Sequence, residues 1–157
     1  MKKIILIHGP NLNLLGKRDT KHYGDLTLAM LENAVKKEAK KLGISVTTFQ
    51  SNYEGALIDF LQKNRNSESF RLSREPKALT ADGIIINPGA LTHYSYALYD
   101  ALLDTNLPVI EVHLSNIHKR EKWRSVSVTA PACKKVISGK KAQGYLEAVH
   151  YLNKIIK

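Results

Sequence analysis

With one cysteine, Cys133, in 157 residues, the chain cannot form an internal disulfide, and a cysteine-based zinc site would need thiolates it does not have. Preceded by Ala130-Pro131-Ala132, this thiol reads as a small residue packed at a strand start and not as a nucleophile. No apolar run approaches the roughly 20 residues that span a bilayer. The amino terminus shows neither the long apolar segment nor the small-residue cleavage site of a signal peptide. These absences predict a soluble, cytoplasmic protein without a membrane partner. Also missing are a glycine-rich loop leading to lysine plus serine or threonine, and a dinucleotide fingerprint, since Gly9 is followed by Pro10. No nucleotide cofactor is therefore expected. His93, His113 and His118 match no compact ligand spacing and have only Glu111 as a nearby carboxylate, so no metal is expected either.

Positive charge is what the chain has in excess, with 24 Lys and Arg against 14 Asp and Glu and a net charge of +10. Such a balance favours nucleic acid, an acidic membrane surface or a small anionic substrate. Much of it lies in Lys36-Lys37, Lys40-Lys41, Lys134-Lys135 and Lys140-Lys141, which a solvated helix face or loop explains without any partner. These pairs lack interleaved aromatic platforms, and no nucleic-acid partner is expected.

Apolar runs at Lys3–Ile7, Ile44–Phe49, Gly83–Ile86 and Val136-Ile137, and the stretch Pro108–Asn116 that starts apolar and turns polar, predict five strands. Between them, Thr27 is placed to cap a helix reaching Leu42, with Leu28, Leu31, Ala34, Val35, Glu38 and Leu42 as its inner stripe and Gly43 as its stop. Ala56, Leu57, Phe60 and Leu61 predict a short helix, a third runs to about Asp104, and a last one spans Ala142 to Ile156 with Leu146, Val149, Leu152, Ile155 and Ile156 inward. Asn116 to Lys122 predicts one short helical turn. The chain reads as one domain over residues 1–157, with 64–81 as an exposed insertion-like connection. Strands alternating with helices imply a parallel α/β sheet with helices on both faces, whose ligands bind beyond the carboxyl ends of the strands.

Each strand but the fifth turns polar at that end: Asn11 and Asn13, then Asn52, then Asn87 and His93, then Glu111, His113 and Ser115, with Arg18 and Tyr23 on the polar stretch before Thr27. Together they form a proton-transfer kit. His113 can serve as acid or base near neutral pH, and Arg18 supplies a cation that favours a tyrosinate at Tyr23. A Ser115 nucleophile lacks the elbow motif that would expose it. Taken singly, each of these residues also has an ordinary reading as a turn closer, loop anchor or hydrogen-bonded structural group.

As a set they resemble type II 3-dehydroquinate dehydratase. The resemblance rests on Gly9-Pro10-Asn11-Leu12-Asn13-Leu14-Leu15-Gly16, Arg18, Tyr23-Gly24, Gln50-Ser51-Asn52-Tyr53-Glu54-Gly55, Asn87-Pro88-Gly89-Ala90, Thr92-His93, Asp100-Ala101 and Glu111-Val112-His113-Leu114-Ser115-Asn116. It continues through Arg120-Glu121, Arg124 and Gly144-Tyr145. The resemblance implies a flavodoxin-like three-layer domain with a five-stranded parallel sheet, dehydrating 3-dehydroquinate to 3-dehydroshikimate without metal or organic cofactor. By position it implies Tyr23 as the base at C2, Arg18 lowering its pKa, and Asn11 holding the water that stabilises the enolate oxygen. His113 would protonate the departing C1 hydroxyl, with Asn87 beside it and Glu111 orienting the ring. The carboxylate of the substrate would fall to the backbone amides of Leu114 and Ser115, and its ring hydroxyls to His93 and Arg124. Asp100 would arrive from a neighbouring subunit of a trimer-based homo-oligomer, a dodecamer in the family.

Where the family commonly has glycines, this chain has Lys134-Lys135 and Lys140-Lys141. A positive φ at any of them would strain a lysine or change the turn, with consequences for the fifth strand and assembly. Asp19-Thr20 stands in place of acid-proline, Tyr94 in place of threonine and Trp123 in place of phenylalanine. Two other readings compete: a basic binding module, and a weakened relative that binds the ligand without turnover.

Overall fold

Ile4, Ile5, Leu6 and Ile7 are all at most 1% exposed, as a strand covered on both faces requires. The computed structural model describes residues 1–17, 25–65 and 81–156. Five parallel strands, β1 (Lys2–His8), β2 (Ile44–Gln50), β3 (Gly83–Asn87), β4 (Val109–His113) and β5 (Lys135–Ser138), lie in the order β2-β1-β3-β4-β5. The chain steps from β1 to one side and then crosses back to the other, so the strand order reverses at β1, where open α/β sheets form a crevice. Register levels the strand ends: His8 stands opposite both Gln50 and Asn87, Ile86 opposite Glu111, and His113 opposite Ser138.

Alternation along the strands divides the core into two layers. Ile4, Leu6, Ile85 and Val112 face α1 (Leu28–Lys41) and α4 (Lys141–Ile155), and Ile5, Ile7, Ile84 and Val109 face α2 (Glu54–Lys63) and α3 (Tyr96–Asp104). This is the flavodoxin-like three-layer arrangement the sequence predicts. Thr27 caps α1 by accepting from Met30 N at 3.2 Å, and Ser95 caps α3 by accepting from Leu98 N at 2.9 Å. Among the described residues no helix is long and apolar enough to cross a membrane.

Several local expectations are corrected. The buried stripe of α1 is Leu31, Val35 and Ala39, an i, i+4 row, which leaves Ala34 exposed. On α4 the inward residues include Tyr145 and Ala148, and Ile155 is 41% exposed because it lies off the row Tyr145, Ala148, Val149, Leu152 and Ile156 that meets the core. His8 belongs to β1 and is fully buried, not the start of a loop. Two short 3-10 turns, Ile117–Lys119 and Lys122–Arg124, stand where one was expected. The ends of the 64–81 connection are not exposed: Asn64 donates from Nδ2 to the Phe60 carbonyl at 2.7 Å, and Ala81 joins the core. Its residues 66–80 lie outside the described ones. The basic pairs largely answer neighbouring acids, with Lys135 and Lys140 sharing Glu147 at 3.1 and 2.5 Å and Lys41 meeting Glu38 at 2.6 Å.

Candidate active site

The strands end at different chemistries, and the loops that follow them are pulled together by short bonds. After β1, Gly9 passes so close to β3 that an added Cβ would stand 2.3 Å from the Pro88 carbonyl oxygen, so only glycine fits. Asn11 follows in the left-handed region at φ 69°, and its N–H donates to Asn52 Oδ1 at 2.8 Å, tying the β1 and β2 tips. At the end of β3, Asn87 is locked at both ends of its amide: Oδ1 accepts from Gly89 N at 3.0 Å and Nδ2 donates to the Tyr145 hydroxyl at 2.7 Å.

These tips wall a cleft of about 270 Å³ lined by Asn11, Asn87, His93, His113, Leu114, Ser115, Arg120 and Arg124, with Pro10, Leu12, Leu15 and Ile117 as its apolar part. Nine of the eleven predicted site residues fall on described segments. The structure brings Asn11, Asn87, His93, His113, Leu114, Ser115 and Arg124 together, with Glu111 directly behind His113. Asn52 acts one step back through Asn11, and Asn13 is exposed outside the cleft. Asp100 is exposed on α3 and does not line the cleft of its own chain. Arg18 and Tyr23 lie outside the described residues.

Two histidines enter with their tautomers set by what they touch. His93 Nδ1 is 2.7 Å from the Val126 carbonyl, which can only accept, so Nδ1 carries the proton. His113 Nε2 is 2.7 Å from Glu111 Oε1 and donates to it, leaving Nδ1 as the nitrogen available to a ligand. Burial by itself would push the Glu111 pKa up. The bond and charge of His113, with the Thr129 and Thr92 hydroxyls, outweigh burial and hold it below the usual carboxylate range. Arg124 stacks over Trp123 at 4.3 Å from the ring centroid, and His93 meets the same ring edge-on at 6.2 Å. A cleft with two arginines and two histidines, whose adjoining Glu111 is buried and paired while the exposed Glu121 stands 3.9 Å from Arg120, suits a small anion that must exchange protons.

Along residues 2–153 the sequence matches the family described as Dehydroquinase class II. The chain belongs to the class II dehydroquinase family. It is 50% identical over 155 residues to a 3-dehydroquinate dehydratase of Clostridium perfringens, covering 99% of each chain. To that of Roseiflexus castenholzii it is 48% identical over 150 residues, covering 96% of this chain and 87% of the relative. The crystal structure of the type II dehydroquinase from Butyrivibrio crossotus shares the fold at a TM-score of 0.84 and 43% identity, covering 97% of both chains. For a class II dehydroquinase, the residues that sequence reasoning passes over here are Ser127 and Thr129, and Tyr145 enters the resemblance without a role. Ser127 and Thr129 bond to Glu111, and Tyr145 to Asn87. The alternating hydroxyls of Ser125-Val126-Ser127-Val128-Thr129 were the available signal, because a period of two puts them on one side of an extended segment.

Proposed function

We propose that this chain dehydrates 3-dehydroquinate to 3-dehydroshikimate, a cytoplasmic shikimate-pathway step, by anti elimination through an enolate. The observation that carries the reading is the buried His113–Glu111 pair at the wall of a cationic cleft, in a chain half identical to 3-dehydroquinate dehydratases. Tyr23, as tyrosinate beside Arg18, takes the proton from C2, and the electron pair moves to the carbonyl oxygen. Asn11 holds the water that donates to that oxygen, a dipole fixed where charge develops. His113, entering the step as an imidazolium with Nε2–H on Glu111, gives its Nδ1 proton to the C1 hydroxyl, the C–O bond breaks, water leaves and the ring is left neutral. Nε2 stays bound to Glu111 throughout, so the ring donates from one nitrogen in one orientation.

The backbone amides of Leu114 and Ser115 receive the substrate carboxylate, and Asn87, His93 and Arg124 its hydroxyls. The active form is a homo-oligomer built of trimers, a dodecamer, in which Asp100 serves the site of a neighbouring copy. Its exposure, and its absence from the lining of its own cleft, support that role.

Rising ultraviolet absorbance of the conjugated product, on mixing purified protein with 3-dehydroquinate, is the expected result. A folded protein that gives no such rise overturns the assignment. Tyr23→Phe should fold normally and lose roughly 10²-fold or more in kcat; near-normal turnover would remove Tyr23 from the role of base.

A further inference from the structure

Glu111 is completely buried, yet four N–H and O–H donors converge on it, with a thiol beside them. Oε1 accepts from His113 Nε2 at 2.7 Å and from the Thr92 and Ser127 hydroxyls at 2.8 Å each, and Oε2 accepts from the Thr129 hydroxyl at 2.6 Å. With the Cys133 thiol 3.8 Å from Oε2 as well, both oxygens face donors when the carboxylate is ionised. A protonated carboxyl would have to donate into a ring of donors, and one hydroxyl would have to turn away. Ser127 is steered further, since its oxygen already accepts from Ala130 N at 2.9 Å, which leaves its proton for Glu111.

Two of these hydroxyls come from a segment that also grips the other histidine. The Val126 carbonyl fixes His93 Nδ1 at 2.7 Å, and Val128 N donates to the Thr92 carbonyl at 2.7 Å, pinning the segment beside the cleft. The backbone bends at Val128 and Thr129, so the carbonyl of Val126 reaches His93 while the side chains of Ser127 and Thr129 both reach Glu111.

We propose that Val126–Thr129 is a positioning strap for both cleft histidines, in which Ser127 and Thr129, with Thr92, keep Glu111 charged and aimed so that His113 presents its proton from Nδ1. The proposal rests on the reading of His113 as the proton donor. Ser127 and Thr129 touch no substrate; they act through Glu111. Among the described residues the titratable groups facing Glu111 are His113 on β4 and Cys133, whose thiol lies 3.8 Å from Oε2. Burial pushes the Cys133 pKa far up, so it faces the carboxylate as a neutral donor.

Because these donors help hold Glu111 ionised, removing one raises the pH at which it gains a proton, and activity fails sooner as pH falls. The test compares wild type, Thr129→Val and Thr129→Ser. For Thr129→Val, kcat should fall about tenfold or more with KM changed less than about twofold, and the acid limb of the kcat–pH profile should move up by roughly one unit. Thr129→Ser, which keeps the hydroxyl, should restore both. Equal limbs in wild type and Thr129→Val, or equal behaviour of the valine and serine variants, would overturn the proposal. Ser127→Ala gives a second series should Thr129→Val fail to fold. Imidazole nitrogen NMR supplies a readout that needs no turnover: in its neutral form the His113 ring should keep its proton on Nε2 in wild type, leaving Nδ1 to take up and give the second proton, and should lose that preference in Thr129→Val. Identical spectra would sink the strap even if wild type proved inactive on 3-dehydroquinate.

Discussion

His8 carries a cost that no other residue of β1 does. Its ring is fully buried, neither nitrogen has a hydrogen-bond partner, and the ring of Tyr145 lies 5.8 Å away. The Glu32 carboxylate, 3.7 Å from Nε2, would favour a charged ring, but burial dominates and pushes the pKa from 6.5 down to about 4. The unfolded chain therefore binds a proton between those values that the folded chain refuses, and stability is complete above about 6.5 and lost as pH falls toward 4. A shift of that size corresponds to something on the order of 3 kcal/mol. Urea unfolding of His8→Gln across this range should show an acid-side decline shallower than that of wild type by about this amount, and parallel curves would show that His8 titrates normally. In the sequence His8 reads as the first residue of the loop after Lys3–Ile7. Its burial is not legible there, because that depends on Glu32 and Tyr145, brought from two helices more than 20 and 130 positions away.

The alternation of strands and helices was legible because each element carries its own periodicity, and the convergence of Asn87, His93 and His113 followed from parallel pairing alone. The hydroxyl shell of Glu111 was not, since Ser127 and Thr129 sit on a segment without regular structure whose path is set by contacts to Thr92. The lysines at the usual glycine positions show the same limit. Lys134, Lys135 and Lys140 need no positive φ, and β5 forms, but Lys141 at the start of α4 has φ 49°. It is held there by its N–H, which donates to the Leu114 carbonyl at 3.1 Å, next to Gly139 N donating to the His113 carbonyl at 3.2 Å. The turn into α4 is thus clamped to the strand tip that carries the site. A left-handed lysine costs roughly 1–2 kcal/mol, partly offset by the greater unfolded-state freedom glycine would bring. Lys141→Gly should therefore raise stability to urea by about 0.5–1 kcal/mol, and Lys141→Val, β-branched and less able to adopt this φ, should lower it. A destabilised Lys141→Gly would show that the lysine is unstrained.

At the scale of the whole molecule, the chain gathers its chemistry at the carboxyl ends of the strands and leaves Tyr94, Tyr96 and Trp123, which neighbour the cleft residues His93 and Arg124 in the chain, more than 60% exposed. Aromatic residues of this size, grouped beside a site, mark a surface that another molecule covers. If a second copy covers it and brings Asp100 into the cleft, each site is shared between subunits, and two defects on different chains can compensate. Asp100→Asn and His113→Asn should each be nearly inactive as pure proteins. Unfolded together and refolded as a mixture, they should recover activity, because an Asp100→Asn subunit keeps its own His113 and can borrow Asp100 from a His113→Asn neighbour. Random equal mixing gives this arrangement in up to about a quarter of sites. Subunits refolded separately and then combined without exchange should recover none. If Asp100 served its own cleft, every site in the mixture would retain one defect and co-refolding would restore nothing, which separates a shared site from a merely adjacent one.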